Sequence, residues 1–123
     1  EGLAFLEANK SKEGVKTAPS GLQYKVTKEG KGSFPKDSDT VTVHYEGKLI
    51  NGEIFDSSFQ RGQTATFGLN QVIKGWTEGI TYFNEGGIGM LLIPSELGYG
   101  SNDRSGIPGG SILLFDIKLL SVN

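Results

Sequence analysis

The sequence has no cysteine and only one histidine among its 123 residues. The missing cysteine excludes disulfides, a thiolate nucleophile and zinc–thiolate sites, and it leaves the redox compartment undetermined. A single histidine, His44, argues against a catalytic triad and against a metal site built from several histidines. An enzyme made from this chain therefore has to work without thiol chemistry and with little proton transfer.

Long apolar runs and clusters of basic residues are also missing. No run approaches the roughly 20 apolar residues that a membrane-spanning helix needs. The formal charge is -2 and the pI is near 5.4, and lysine and arginine are scattered, so we expect no nucleic-acid partner. The sequence shows no signal peptide and no initiating methionine, and we expect a processed chain or an excised fragment.

The stretch around which the chain is organised runs from Gln71 to Phe83 and holds the only tryptophan, Trp76. Its apolar residues recur at helical spacing, which predicts one amphipathic helix of about three turns. Gly75 and Gly79 each cost such a helix about 1 kcal/mol relative to alanine, so a surrounding sheet must support it. The glycines also allow another backbone or a ligand to approach the indole. Trp76 is therefore either a plain core residue or a core residue that forms the floor of a pocket.

Alternation of apolar and polar residues predicts the strands. The clearest strand spans 41–49, with Val41, Val43 and Tyr45 on one face and His44 on the opposite, solvated face. The dipeptide at 51–52, Asn-Gly, predicts a hairpin, because both residues tolerate a positive φ. Further strands are predicted at 22–27, 54–56, 65–68, 90–93 and 111–122.

Connections that are mostly hairpins imply an antiparallel sheet, and one helix must cover its apolar face. The predicted fold is α+β, with a curved antiparallel sheet of about five or six strands wrapped on one short amphipathic helix and an N-terminal helical extension. Residues 1–14 form that extension, 15–21 a linker and 57–63 a polar excursion. The glycine-rich loop at 94–110 is long for a compact domain, which favours a functional role.

Seven short runs, in this order and at this spacing, resemble the FK506-binding-protein (FKBP) family of peptidyl-prolyl cis-trans isomerases. Any one run alone would be a weak signal, whereas seven in order are specific. The resemblance covers about residues 21–122. The runs are Val43 to Leu49, Gly52 to Ser58, Gln71 to Trp76, Leu92 to Pro94, Tyr99-Gly100, Gly106 to Pro108 and Leu114 to Asp116.

The N-terminal part resembles the end of the helical dimerisation region found in bacterial FKBPs of the macrophage-infectivity-potentiator type. The resemblance implies two parts, residues 1–20 from that region and its linker, and residues 21–123 as the isomerase domain. It also implies a homodimer for a longer chain, while 14 residues with few apolar side chains predict a monomer here. The bacterial periplasm or cell envelope is the expected location, with the cytoplasm as the alternative.

The resemblance implies rotation of X-Pro bonds in unfolded or partly folded polypeptides, without cofactor or metal, and binding of macrolides such as FK506 and rapamycin. Tyr99 is expected to donate its hydroxyl to a substrate carbonyl. Asp56 is expected to hydrogen-bond near the twisting amide, held by Tyr45 or Arg61. Because the twisted amide loses charge separation, an apolar and water-poor pocket favours it over the planar ground state.

The other implied site residues bind the substrate. Trp76 is expected to form the floor below the proline ring, and Ile107 is expected to close over the ligand. Ile73 is expected to offer its backbone N–H to a second substrate carbonyl. The implied walls, beside Tyr45, are Phe55, Phe67, Val72, Ile73 and Phe115.

Plainer interpretations stay open for several of these residues. Phe67, Val72 and Phe115 could be ordinary core, and Asp56 could be a turn acid or a surface ion-pair partner worth under about 1 kcal/mol. A non-catalytic FKBP-like module that binds clients or a partner is the alternative function. The chain also departs from the family pattern at Ala65, at Ile88, in the Gly-Gly at 109–110 and along 101–106, and no role is transferred to these positions.

Overall fold

The computed structural model describes Ala8 and the ranges 14–50, 52–98 and 110–122. The strands are β1 (Lys16–Thr17), β2 (Gln23–Lys28), β3 (Thr40–Lys48), β4 (Ile54–Ser57), β5 (Ala65–Gly68), β6 (Ile88–Ile93) and β7 (Leu113–Val122). The helices are α1 (Ser58–Arg61) and α2 (Lys74–Gly79), with 3-10 turns at Leu69–Gln71, Ile80–Tyr82 and Ser95–Leu97. Apart from Ala8 and Gly14, the predicted N-terminal helical extension lies outside the described residues.

The seven strands form one antiparallel sheet in the order β1-β2-β6-β7-β3-β4, and β5 pairs with β3 beside this path. The predicted α+β class and antiparallel sheet are confirmed, with seven strands rather than five or six. The added strand is β1, which lies inside the predicted linker and places Lys16 opposite Tyr24. Ala18, two residues later, is buried. Alternation could not reveal β1 because two residues are too few to show a period.

Strand β3 lies between β7 and β4, next to one end of the sheet, and has two partners along one edge. Its first half pairs with β5, ending at Val43 opposite Ala65. Its second half pairs with β4, beginning at Glu46 opposite Ser57. The other edge pairs with β7 along the strand, with a register shift after Thr42. The side chains alternate between buried and half-buried from residue 41 to residue 48, as the period-2 pattern predicts.

Helix α2 lies against β6, and its two glycines make the close approach possible. A Cβ atom added to Gly75 would lie 2.5 Å from Cγ2 of Ile93, and one added to Gly79 would lie 2.6 Å from Cδ2 of Leu91. The neighbours that approach the helix here are therefore sheet side chains. The regular helix has six residues and is therefore shorter than the predicted three turns. A 3-10 turn follows it directly, and another 3-10 turn precedes it. No helix in the described ranges is long and apolar enough to cross a membrane.

Candidate active site

A cavity of about 540 Å³ opens beside α2 on the inner face of the sheet. Eight of the ten predicted site residues line it, joined by two that were not predicted, Gln71 and Gly98. The remaining two, Tyr99 and Ile107, lie outside the described residues, so their roles stay predictions. The eight are Tyr45, Phe55, Asp56, Phe67, Val72, Ile73, Trp76 and Phe115.

The base of the cavity is a cluster of aromatic rings around Trp76. The indole is 4 % exposed and lines the cavity, so it is a core residue and a pocket wall at once. Tyr45, Phe67 and Phe115 each meet it nearly edge to face, at centroid distances of 5.1, 5.3 and 5.2 Å. Such arrangements are favoured by the ring quadrupoles. Among the described residues, Trp76 Nε1 has no hydrogen-bond partner.

A glycine on β3 makes room for the far wall of the cavity. Phe55 meets Phe115 edge to face at 5.6 Å. A Cβ atom on Gly47 would lie 2.7 Å from Cζ of Phe55 and 2.8 Å from Cε1 of Phe115. Any side chain at this position would displace the two rings, which explains a glycine near the end of β3.

The rim of the cavity is a closed hydrogen-bonded triangle of three side chains. The Tyr45 hydroxyl donates to Oδ2 of Asp56 at 2.5 Å. The Arg61 guanidinium donates to Oδ1 of Asp56 at 2.5 Å and to the Tyr45 hydroxyl oxygen at 3.1 Å. Its Cζ atom also lies 5.8 Å from the Tyr45 ring centroid, within cation–π range. Both predicted holders of Asp56 therefore contact it.

The triangle fixes the protonation states of its members. Burial would raise the pKa of Asp56, but the hydrogen bonds from Tyr45 and Arg61 outweigh it and hold the pKa below its ordinary value. Burial and the hydrogen bond to Asp56 raise the pKa of the Tyr45 hydroxyl. At neutral pH the rim therefore holds an ionised carboxylate, a neutral phenol and a guanidinium cation.

Helix α1 brings Arg61 to the rim, and sequence reasoning missed this helix. Ser57 caps its first turn by accepting a hydrogen bond from Gln60 N at 3.2 Å. Gly62 ends it in the left-handed conformation at φ 68°. The spacing of Ser57 and Gln60 is that of a capping box, and with Gly62 it was a readable signal for one helical turn. The predicted polar excursion at 57–63 is thus mostly helical.

His44 is a second correction on the same side of the sheet. It is half-buried rather than solvated, with Nδ1 2.7 Å from Oγ of Ser58. Its ring stacks on Phe59 at a centroid distance of 4.6 Å. The alternation along β3 placed His44 on the polar face correctly, but it could not show that α1 covers that face.

The backbone of Ile73 lies at the start of α2, beside the cavity. Ile73 precedes α2, and its carbonyl accepts from the N–H groups of Trp76 and Thr77 at 3.0 and 3.1 Å. Its own N–H donates to no described residue. A free N–H at the start of a helix, beside the base of the cavity, could donate to a ligand carbonyl. Within the described ranges, no group of three His, Asp or Glu side chains is arranged to hold a metal ion.

Comparison with known proteins fits this geometry. The family profile described as FKBP-type peptidyl-prolyl cis-trans isomerase matches residues 31–120. The chain belongs to this family of FKBP-type isomerases. The profile of the domain amino-terminal to FKBP-type isomerases matches residues 1–26 of the same chain.

Two relatives of this FKBP-type chain come from bacteria. It is 52 % identical to the peptidyl-prolyl cis-trans isomerase Mip of Coxiella burnetii, over 97 % of this chain and 52 % of the relative. The crystal structure of FkpA from Escherichia coli superposes with a TM-score of 0.96 at 48 % identity, over 99 % of this chain and 57 % of that one.

A third relative is closer to this chain in length. The peptidyl-prolyl cis-trans isomerase structure from Pseudomonas syringae superposes with a TM-score of 0.92 at 33 % identity, over 99 % of this chain and 90 % of that one. By contrast, this FKBP-type chain spans about half the length of the curated relatives it matches.

Proposed function

We propose that this domain catalyses cis-trans isomerisation of X-Pro bonds in unfolded or partly folded polypeptides, and thereby assists folding. The observation that carries the proposal is the single cavity shared by eight of the implied site residues, with an aromatic base and a charged rim. If these eight side chains were scattered over the surface, they would be evidence for the fold but not for a substrate-binding site.

The base would lower the barrier by excluding water. Rotation about an X-Pro bond breaks amide resonance, at a barrier of roughly 18–20 kcal/mol. The planar amide is more polar than the twisted one, so water stabilises the ground state more than the transition state. A proline ring seated on Trp76, between Phe67 and Phe115, exchanges that water for ring faces and favours the twisted amide.

The rim would supply fixed polar groups beside the twisting bond. Asp56 is held from two sides, so its carboxylate does not have to reorganise when the amide twists. Tyr45 and Arg61 act on Asp56, and no proton transfer is required of any of the three. Tyr99 would donate to a substrate carbonyl, and Ile107 would cover the bound chain; both roles remain proposals from the family resemblance.

The activity is tested by cis-to-trans conversion of a short X-Pro peptide, measured by NMR exchange. We expect the native domain to accelerate the exchange and Asp56→Asn to lower the rate about tenfold. This loss is smaller than that from removing an oxyanion-hole donor, because no full charge develops on the twisted amide. The matched control is Asp116→Asn, which removes another half-exposed carboxylate, one that pairs with Lys48 at 3.9 Å.

A native domain that leaves the peptide exchange unaccelerated would reject the enzyme proposal. Ligand binding by the same samples then tests the alternative function, a non-catalytic binding module.

We also propose that a macrolide of the FK506 or rapamycin class occupies this cavity. Macrolide binding without catalysis would support the binding module, whereas a domain without affinity for either ligand would reject both uses of the cavity.

For the longer protein we propose a division near residue 20, with a helical region that pairs two isomerase domains. The match of residues 1–26 to the amino-terminal family profile supports this division. We expect the present chain to sediment as a monomer and a longer chain as a dimer, and equal monomeric masses would contradict the pairing.

We also propose the bacterial periplasm or cell envelope as the location of the protein, which cell fractionation tests.

A further inference from the structure

The edge of β3 that faces α1 has a gap at Tyr45. Pairing with β5 ends at Val43, and pairing with β4 begins at Glu46. In an antiparallel strand the N–H and C=O of one residue point to the same side. The backbone groups of Tyr45 therefore point into the gap, where no strand completes the ladder, and buried backbone groups need partners.

A single hydroxyl fills this gap. Oγ of Ser58 accepts from Tyr45 N at 2.7 Å and donates to Tyr45 O at 3.2 Å. It also lies 2.7 Å from Nδ1 of His44, which becomes the donor when the hydroxyl proton points at Tyr45. Ser58 is fully buried, so no water replaces these bonds at its surface. One side chain thus does what a strand residue does elsewhere in the sheet.

Ser58 is also the first residue of α1, and Arg61 is the last. The hydroxyl therefore ties the start of α1 to the backbone of Tyr45, while the far end of the same turn returns to the Tyr45 side chain and to Asp56. Helix α1 is clamped to β3 at both ends. A turn this short cannot hold its own shape in water, so the clamp sets its position.

We propose that Ser58 is a positioning residue for the reaction: through the Tyr45 backbone and α1 it sets the distance between the rim triangle and the twisting amide. This inference rests on the proposed isomerase function for its effect on rate. Its effect on the geometry of the triangle does not depend on that function and can be measured separately.

The test compares two neighbouring serines, both buried. Ser58→Ala removes the ladder hydroxyl, and Ser58→Cys keeps its volume with a poor hydrogen-bonding group. Ser57→Ala is the matched control, because that hydroxyl caps α1 and donates to Oε1 of Glu46 at 3.2 Å without contacting Tyr45. All rates are measured at a temperature where every variant is fully folded.

We expect both Ser58 variants to lose about tenfold in kcat, well short of the roughly 100-fold that a 1 Å misplacement can cause. Their KM should stay within about twofold of the native value, because Trp76, Phe67 and Phe115 of the base are untouched. Ser57→Ala should be less stable but keep its kcat within about twofold. Native kcat in the Ser58 variants, or an equal loss in Ser57→Ala, would overturn the proposal.

The ¹³C titration of the Asp56 carboxyl gives a readout without catalysis. We expect its pKa to rise in Ser58→Ala, since a displaced Tyr45 and Arg61 stabilise the carboxylate less, and to stay at the native value in Ser57→Ala. An unchanged titration in Ser58→Ala rejects the positioning role whatever the rates are. If the native domain proves inactive, the proposed function fails and the titration still decides the role of Ser58.

Discussion

The base and the rim of the cavity are held by different forces. The base consists of buried rings, with Trp76 and Phe115 each 4 % exposed, and side-chain packing holds it. The rim consists of polar side chains, with Asp56 41 % and Arg61 48 % exposed, and hydrogen bonds hold it. Changes at the base should therefore alter stability and affinity together, whereas changes at the rim should alter rate and leave the fold intact.

The two regions also depend on different lengths of chain. The base joins residues from β3, β5, α2 and β7 that are far apart in sequence. The rim is more local, because Asp56 and Arg61 are only five residues apart, and Tyr45 joins them from β3, 11 residues before Asp56. Core packing holds the rings of the base in place, whereas Arg61 of the rim is positioned by one short helix, α1.

The largest effect is expected from Trp76→Ala, which empties the base. Truncating a buried tryptophan should lower the free energy of unfolding by about 3–5 kcal/mol. Macrolide affinity should fall with it, because three rings lose their shared neighbour. Urea denaturation and a ligand titration at low temperature measure the two quantities.

Phe34→Ala is the control for this truncation. Phe34 is 57 % exposed, so we expect a change within about 0.5 kcal/mol. A Trp76→Ala protein that is as stable as the native one, or that keeps native affinity, would contradict the division of roles between base and rim.

A smaller effect is expected from Gly75→Ala, which adds a methyl group to α2 on the side that faces Ile93 of β6. Alanine gains about 1 kcal/mol in helix propensity. However, its Cβ would lie 2.5 Å from Cγ2 of Ile93, a stiff β-branched side chain, and overpacking of this kind costs about 1–3 kcal/mol. We therefore expect a net destabilisation of up to about 2 kcal/mol, measured by urea denaturation.

A double-mutant cycle separates the two contributions of Gly75→Ala. In an Ile93→Ala background the clash is gone, so the same substitution should become neutral or stabilising. Equal effects in both backgrounds would show that packing against β6 is not the reason for the glycine. Gly75→Ala should lower isomerase activity only if the added methyl group displaces α2 and, with it, the Trp76 indole.

The sequence was informative where a residue's environment follows from a repeating pattern. Period-2 alternation placed Tyr45 on the inner face of β3, and the family resemblance brought it together with Trp76 and Asp56. Patterns were uninformative where a structural element is shorter than its own period. The two-residue β1 and the four-residue α1 were both missed for this reason.

The sequence patterns also did not predict which polar residues are buried. Ser58 and Gln23 are buried, although their side chains are polar. Composition alone assigns such residues to the surface, since burial is stable only when partners are present. The partners of Ser58 are His44 and the Tyr45 backbone on β3, which lie 14 and 13 residues away in sequence. The predicted roles of Tyr99 and Ile107 rest on resemblance alone.

The smallest effect on stability, and the sharpest test of the rim, is expected from Arg61→Gln. Because its ion pair with Asp56 is exposed, the free energy of unfolding should change by less than about 1 kcal/mol. Isomerase activity should nevertheless fall several-fold, because Asp56 and Tyr45 lose their common donor. Peptide exchange and urea denaturation on the same sample measure both changes, and Lys48→Gln, which breaks exposed pairs to Glu46 and Asp116, is the control.

The pH dependence of the same variant decides whether the triangle acts through Asp56. In the native domain the pKa of Asp56 lies below the ordinary 3.8, so its stabilising contribution is complete above that value and is lost as the pH falls through the lower folded value. Burial alone raises this pKa. Removal of the Arg61 guanidinium should therefore move the acid limb of both stability and activity to higher pH, whereas Lys48→Gln should leave it in place. An acid limb at the same pH in Arg61→Gln and the native domain would mean that Tyr45 and the Ser57 backbone N–H hold the carboxylate without Arg61.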